Sequence, residues 1–195
     1  MTWQLRRATP ADLDAIMGIE TSVFVSDAWS RASMASELAS VHGHYLVAFR
    51  PETPGTIDAY AGLHAPQGSP DAEIQTIAVA EHARRHGLGR VLMLQLIAEA
   101  RRRGATEMFL EVRADNPPAQ TLYLDLGFER IAVRPGYYQP DGVDAWVMRL
   151  ALEEPRTTVA AGPAEEREAS GHEAPEASGA SGASGASAEQ DGGRA

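Results

Sequence analysis

The 195-residue chain contains no cysteine. That excludes disulfides, thiolate metal sites and a thiol nucleophile together. Lysine is absent too, and all 17 basic residues are arginine, a bias of composition rather than a sign of chemistry. No run of about 18 uninterrupted apolar residues occurs, so no membrane span is expected. The N-terminal MTWQLRRATPADLD lacks the apolar core of an export signal, and the expected location is cytoplasmic. Positive charge is also short. The 27 acidic residues leave a net charge of −10, which argues against direct nucleic-acid binding through general backbone attraction.

Aromatic residues are missing from one part of the chain. All three Trp, all five Tyr and all four Phe fall within residues 1–150. From Ala151 onward there is one Leu, one Val and a short Ala-Ser-Gly repeat. Such a segment cannot bury enough apolar surface to offset the entropy of ordering it. The chain therefore divides into one domain over residues 1–153 and a disordered acidic extension over residues 154–195. Residues 151–195 hold nine acidic and three basic residues, or −6 of the total charge. The plainest role for that extension is solubility.

Apolar spacing orders the domain. Trp3 to Arg6 reads as a short strand, followed by a helix with Thr9 as N-cap and Pro10 in its first turn. Leu13, Ile16, Met17 and Glu20 continue it at helical spacing. A loop from Val23 to Trp29 leads to a helix from Ser30 to Ser40. His44–Phe49 and Ile57–Leu63 read as strands joined by the Pro51–Gly55 turn. Glu73–Val79 is the next strand, and Gly87–Arg103 a helix with Leu88, Val91, Leu92, Leu96 and Ala100 on one side. Gly104 stops it. Met108–Arg113 is a strand, Asn116-Pro117 starts a helix that Gly127 ends, and Phe128–Val133 and Ala145–Leu150 are the last strands. A helical crossover of 17 residues makes its two flanking strands parallel. The last two strands are antiparallel. The fold class is α/β, with a mixed sheet and helices on both faces.

The sharpest local signal is Arg84-Arg85-His86-Gly87-Leu88-Gly89, set between a strand and a helix. Glycines there admit close backbone approach, and the helix start offers unpaired N–H groups to an anion. With Arg84, Arg85 and Arg90 at the same end, this is a pyrophosphate cradle in physical terms. A glycine-rich turn with solvated arginines fits the same residues. The dinucleotide fingerprint is excluded because its third glycine is replaced by Leu92, and no Gly-Lys-Ser/Thr follows as in a Walker loop. Glu111 is the second signal. A carboxylate within a strand of a covered sheet is expensive unless paired or open to a cleft; its readings are a cleft residue, a partner for Arg113 or a rim position. Tyr123, on the following helix, fits a core position as readily as a site. His42, His44, His64, His82 and His86 show no metal-ligand spacing, and no metal is assigned.

Taken in order, Ile77-Ala78-Val79, the Arg-x-x-Gly-x-Gly of 84–89, Leu110-Glu111-Val112-Arg113, Asn116 and Leu122 to Phe128 resemble the GNAT family of acetyl-CoA-dependent N-acetyltransferases. The resemblance covers residues 1–150. Asp27 to Ser30, Leu110 to Asn116, Gly136 to Gly142 and Asp144 to Leu150 resemble, more narrowly, its RimI branch, which acetylates the N-terminal alanine of a small-subunit ribosomal protein, the one numbered eighteen. The resemblance implies a GNAT-like fold whose two neighbouring parallel strands splay apart. It implies acetyl-CoA as co-substrate, its pyrophosphate held by Arg84, Arg85, His86, Gly87, Leu88, Gly89 and Arg90. Thr76, Ile77, Ala78 and Val79 would pair with the pantetheine arm like an added strand, and Asn116 would touch the cofactor. Glu111 would be the general base and Tyr123 the general acid.

A protein α-amine titrates near ~7.7–8.0, against ~10.4 for a lysine side chain, so a modest base such as Glu111, acting through one water, suffices to free it. Phe24, Trp29, Tyr137 and Tyr138 lie in the two loops that flank the acceptor in the resembled family, as recognition platforms or, for Trp29, as a plug of the core. Asp27, Asp141 and Asp144 lie near them in sequence, either to attract a basic peptide or as solvated turn residues. The expected partner is a protein N-terminus, with no membrane and no nucleic acid bound directly. Two rival readings are a small-amine acetyltransferase and a non-catalytic acetyl-CoA-binding protein. The GlyTyrTyrGlnProAspGly segment speaks against the first, and retained Glu111 and Tyr123 against the second. The sequence assigns no oligomeric state.

Overall fold

Along one strand, buried Met108, Leu110 and Val112 alternate with half-exposed neighbours, the period-two pattern of a sheet packed on one face. The computed structural model describes residues 2–152. The extension expected over residues 154–195 lies outside the described residues. The elements run β1 (Gln4–Arg7), α1 (Leu13–Val23), α2 (Arg31–Ala39), β2 (Gly43–Phe49), β3 (Ile57–His64), β4 (Asp71–Val79), α3 (Leu88–Arg102), β5 (Glu107–Arg113), α4 (Pro117–Asp125), β6 (Glu129–Tyr138) and β7 (Val143–Ala151). The strands form one sheet in the order β1-β2-β3-β4-β5-β7-β6. β4 and β5 are parallel, as the helical crossover requires, and β6 and β7 are antiparallel. The fold class read from the sequence holds.

Each face has its own core. Leu88, Leu92, Met93, Leu96, Ile97 and Ala100 of α3, with Tyr123 of α4, pack against Ala59, Ala61 and Leu63 of β3 and the even-numbered residues of β5. On the other face, Ile16 and Ile19 of α1 and Met34 of α2 cover Tyr45, Val47, Tyr60 and Ala78. Val91 departs from the expected stripe: it is 45% exposed, and Met93 and Ile97 take its place in the core. Leu92, Leu96 and Ala100 progress around the helix from Leu88 in one direction, while Val91 falls on the opposite side of Leu88.

Two local details also differ. The helix start at Thr9 is a 3-10 turn over Pro10–Asp12 before α1 begins. There the Asp12 carboxylate accepts from the Thr9 N–H (2.8 Å) and hydroxyl (3.0 Å) and from both terminal nitrogens of Arg6. The Arg6 guanidinium holds the Asp12 carboxyl down to about 2. Furthermore, β6 runs on past Val133 to Tyr138, through Pro135. A proline survives there because β6 is the sheet's edge, and its register against β7 slips between Arg134 and Tyr138.

The feature that makes a site is the behaviour of β4. Ala72 and Ile74 belong to the core under α3, whereas Ala78 belongs to the core under α1. The reversal occurs at a bulge: Leu63 faces Ile74 and Gly62 faces Thr76, leaving Gln75 as the extra residue. Toward β5, the ladder joins Asp71, Ala72 and Glu73 to Glu107, Met108 and Phe109. Among the described residues it goes no further. From Ile74 onward the two strands part, and the β5-facing edge of β4 over 75–79 lacks a strand partner.

Candidate active site

At the open end of the gap, β4 passes through a 3-10 turn (Glu81–Ala83) into the loop before α3. The Arg84 Nε donates back to the Val79 carbonyl at 3.1 Å. Arg85 and Gly87 both take left-handed backbone, with φ of 67° and 78°. Left-handed residues alternating with ordinary ones turn successive N–H groups toward one side, the geometry of an anion nest. At Gly87 an added Cβ would meet nothing within 4 Å, so its backbone conformation is what calls for glycine. Gly89 differs: a Cβ there would sit 3.4 Å from Leu122 and 4.0 Å from Val79, so a branched side chain would press into the space between β4 and α4. Leu88 is buried and pins the start of α3, while Arg84, Arg85, His86 and Arg90 stay exposed. None of these three arginines has an ion-pair partner among the described residues, which leaves their charge for an incoming anion.

Across the gap, Asn116 caps α4, its Oδ1 accepting from the Ala119 N–H at 3.2 Å. The cap orients the side chain beside the opening. Thr76 is buried with its hydroxyl 3.2 Å from that of Tyr60. Ile77, Ala78 and Val79 pair on their other side with Ala61, Tyr60 and Ala59 of β3, which keeps the free edge straight.

Glu111 stands on the β5 face that looks toward α1, beyond the last paired rung. Its carboxylate accepts from the Tyr137 hydroxyl at 3.0 Å and forms an ion pair with Arg134. The alternative of a Glu111–Arg113 pair is thereby corrected. Arg113 instead gathers Asp27 (3.5 Å), Asp115 (3.0 Å) and Asp141 (3.2 Å) and lies over the Tyr138 ring at 5.2 Å. Asp141 is the exposed turn residue expected before Gly142 and Asp27 a half-buried one, and both are also engaged by Arg113. They fasten the α1–α2 loop to the β6–β7 hairpin, aided by the Ser26 hydroxyl donating to Asp141 at 2.7 Å. Asp144 is a hairpin staple that accepts from the Gly136 N–H at 2.8 Å.

A cavity of about 440 Å³ opens on this face, with Glu111, Arg134, Glu73, His64, Phe109 and Val147 in its lining. Partial enclosure, and then the nearby Glu111 charge, push the Glu73 carboxyl up from its ordinary range. Arg134 and Glu73 were missed in the sequence. Arg134 was legible only as a neighbour of the Gly136-Tyr137-Tyr138 run, and Glu73 only as a polar residue on an alternating strand.

Tyr123 approaches from the opposite face. It is 5% exposed and packs edge-on to Phe128 at 5.9 Å, and its hydroxyl makes no hydrogen bond among the described residues. Burial alone pushes its phenol up. Glu111 and Tyr123 thus lie on opposite faces of the sheet.

Two of the four aromatic residues expected on acceptor loops are placed in a strand instead. Tyr137 and Tyr138 belong to β6 and meet edge-on at 5.1 Å. Burial, followed by Glu111, Tyr137, Asp27 and Tyr123, pushes the Tyr138 phenol up. Phe24 and Trp29 lie in the loop between α1 and α2, as expected, and both are half-buried against the α1–α2 core. The Trp29 N–H donates at 2.8 Å to Glu20, a buried carboxylate that also accepts from the Tyr60 hydroxyl. Among the described residues, no group of His, Asp or Glu is arranged to hold a metal ion, and no helix is long and apolar enough to cross a membrane.

Comparison with known proteins fits this geometry. Residues 13–128 match the Acetyltransferase (GNAT) family. Over 144 residues the chain is 38% identical to the N-alpha-acetyltransferase RimI of Mycobacterium tuberculosis, covering 72% of this chain and 87% of that protein. It is 40% identical over 144 residues to an uncharacterized protein of Mycobacterium leprae, again over 72% of this chain but only 38% of that longer relative. The crystal structure of the ribosomal-protein-S18-alanine N-acetyltransferase from Escherichia coli superimposes with a TM-score of 0.68 at 29% identity, over 81% of this chain and 99% of that one.

Proposed function

The chain belongs to the acetyltransferase (GNAT) family, and from that premise we propose that it moves the acetyl group of acetyl-CoA to the N-terminal α-amine of a protein. The acceptor is the N-terminal alanine of small-subunit ribosomal protein eighteen, in line with the activity for which the Escherichia coli structural relative is named. One observation carries the reading: β4 and β5 part beyond the Glu73–Phe109 rung, Glu111 stands on β5 two residues past it, and β4 runs on into an arginine-rich left-handed loop.

The residues present suit the donor. The nest of Arg85 to Gly89 and the start of α3 hold a pyrophosphate through N–H groups, and Arg84, Arg85 and Arg90 add charge. The free edge of β4 over Thr76 to Val79 offers N–H and C=O groups to the amide-bearing pantetheine arm, and Asn116 closes the far side. When bound, acetyl-CoA supplies an activated carbonyl. Glu111, through one water, takes the proton of the attacking α-amine. N–H groups near Ala78 and Val79 hold the carbonyl oxygen as its charge develops. Tyr123 donates to the departing sulfur. The new C–N bond replaces the C–S bond, and the products are the acetylated amine and the free thiol of coenzyme A. The protein forms no covalent bond, consistent with the absence of cysteine.

On the acceptor side, Arg113 fixes the distance between the α1–α2 loop and the β6–β7 hairpin, and Phe24, Trp29, Tyr137 and Tyr138 form the walls. Incubating the full chain with acetyl-CoA and an Ala-initiated peptide from that ribosomal protein tests the reading by mass spectrometry. The α-amine is expected to gain the acetyl group, and the same peptide with a blocked N-terminus none. Comparable kcat/KM on a polyamine or aminoglycoside would overturn it.

A further inference from the structure

Beneath the left-handed loop lies a fully buried carboxylate that the transfer chemistry does not use. Asp58, on β3, has a side-chain exposure of 0%. Its Oδ2 accepts from the Trp3 indole N–H at 2.8 Å and from the Arg50 Nε at 3.0 Å. Its Oδ1 meets the His82 Nε2 at 2.8 Å, and its backbone carbonyl accepts from the Ala80 N–H at 2.8 Å. A buried carboxylate without donors is unfavourable; this one is saturated by three side chains.

Two of those contacts lead into the loop. His82 lies in the 3-10 turn immediately before Arg84. Trp3, with its N–H fixed by Asp58, sets its ring 5.4 Å from that of His86, tilted by 38°. His86 lies between the two left-handed residues, Arg85 and Gly87. Asp58 therefore reaches both flanks of the loop, one directly through His82 and the other through the Trp3 ring.

The loop needs such a hold. Arg85 carries a side chain in a backbone region that favours glycine, and such conformations persist only where the surroundings enforce them. A loop ordered in advance binds its ligand more tightly than one that must be ordered on binding. The Arg50 guanidinium, paired with Asp58 at 3.0 Å, offsets its charge near an anion site.

We propose that Asp58 is a positioning residue that holds the Arg84–Gly89 loop in its pyrophosphate-binding shape through His82 and Trp3. The inference rests on the reading of that loop as the pyrophosphate site. Its effect falls on affinity for the phosphate-bearing part of the donor and not on the transfer step.

Calorimetry and kinetics on the full chain test it with two acetyl donors, acetyl-CoA and the phosphate-free S-acetylpantetheine. Asp58→Asn is expected to weaken acetyl-CoA about 10–100-fold, the range for losing a hydrogen bond to a charged group. The KM for S-acetylpantetheine and the kcat at saturating acetyl-CoA should stay at wild-type values. His82→Ala, at an exposed position, and Trp3→Phe, which keeps the ring but loses the N–H, should each weaken acetyl-CoA by less. These two variants decide the matter if Asp58→Asn fails to fold. Unchanged acetyl-CoA affinity in the variants, or equal losses on both donors, would overturn the proposal. If the wild-type chain binds no acetyl-CoA, the pyrophosphate reading itself falls and takes this inference with it.

Discussion

Glu111→Gln is expected to lower kcat for peptide acetylation by about 10²–10⁴-fold, the contribution of a positioned general base, with the Kd for acetyl-CoA unchanged. The substitution preserves size, and the amide oxygen can still accept from Tyr137 or Arg134, the two groups that hold the carboxylate. What disappears is the ability to take a proton. The residual rate should then follow the fraction of acceptor whose α-amine is already neutral, rising with pH through about 7.7–8.0. Steady-state kinetics on both proteins across that interval provide the check. A variant that turns over like the wild type would show that the proton leaves by another route.

Tyr123→Phe should produce the second large loss, about 10²–10³-fold in kcat, comparable to removing one donor from a charge-stabilising site. The phenol is buried among apolar groups against Phe128, and burial pushes its titration further up from the ordinary tyrosine range. It has no hydrogen bond to lose among the described residues, so the variant should melt at the wild-type temperature. The defect should appear in kcat with little change in acetyl-CoA affinity. A loss confined to affinity would make Tyr123 a wall of the gap rather than a proton donor.

How much of this was legible in the sequence differs by element. The β4–α3–β5 unit was plain, because Leu88, Leu92 and Leu96 repeat at helical spacing and Gly87 and Gly104 bracket them. Placement of Val91 failed because spacing from one neighbour alone does not say on which side of the stripe a residue falls. The length of β6 was hidden by Pro135, which reads as a strand end unless the strand is known to lie at an edge. The bulge at Gln75 left no mark in composition, yet it reverses which face Thr76 and Ala78 present. Glu111 stood out as a charge within an apolar strand, but its partner Arg134 comes from a strand 23 positions on, and pairing at that distance depends on β7 lying between β5 and β6. Asp27 and Asp141 show the same limit. Sequence proximity to aromatic residues suggested ligand contact, whereas Arg113 claims both. Asp58, deep in the sheet, gave no signal in the sequence beyond being a polar residue in an apolar strand.

A crystal structure of the chain with a non-transferable acetyl-CoA analogue tests the central claim most directly. The account predicts the pantetheine arm along the free edge of β4 from Thr76 to Val79, the pyrophosphate on the N–H groups of Arg85 to Gly89, and the acyl carbon within reach of Glu111 from one face and Tyr123 from the other. An analogue bound elsewhere, with β4 and β5 closed on each other, would contradict it.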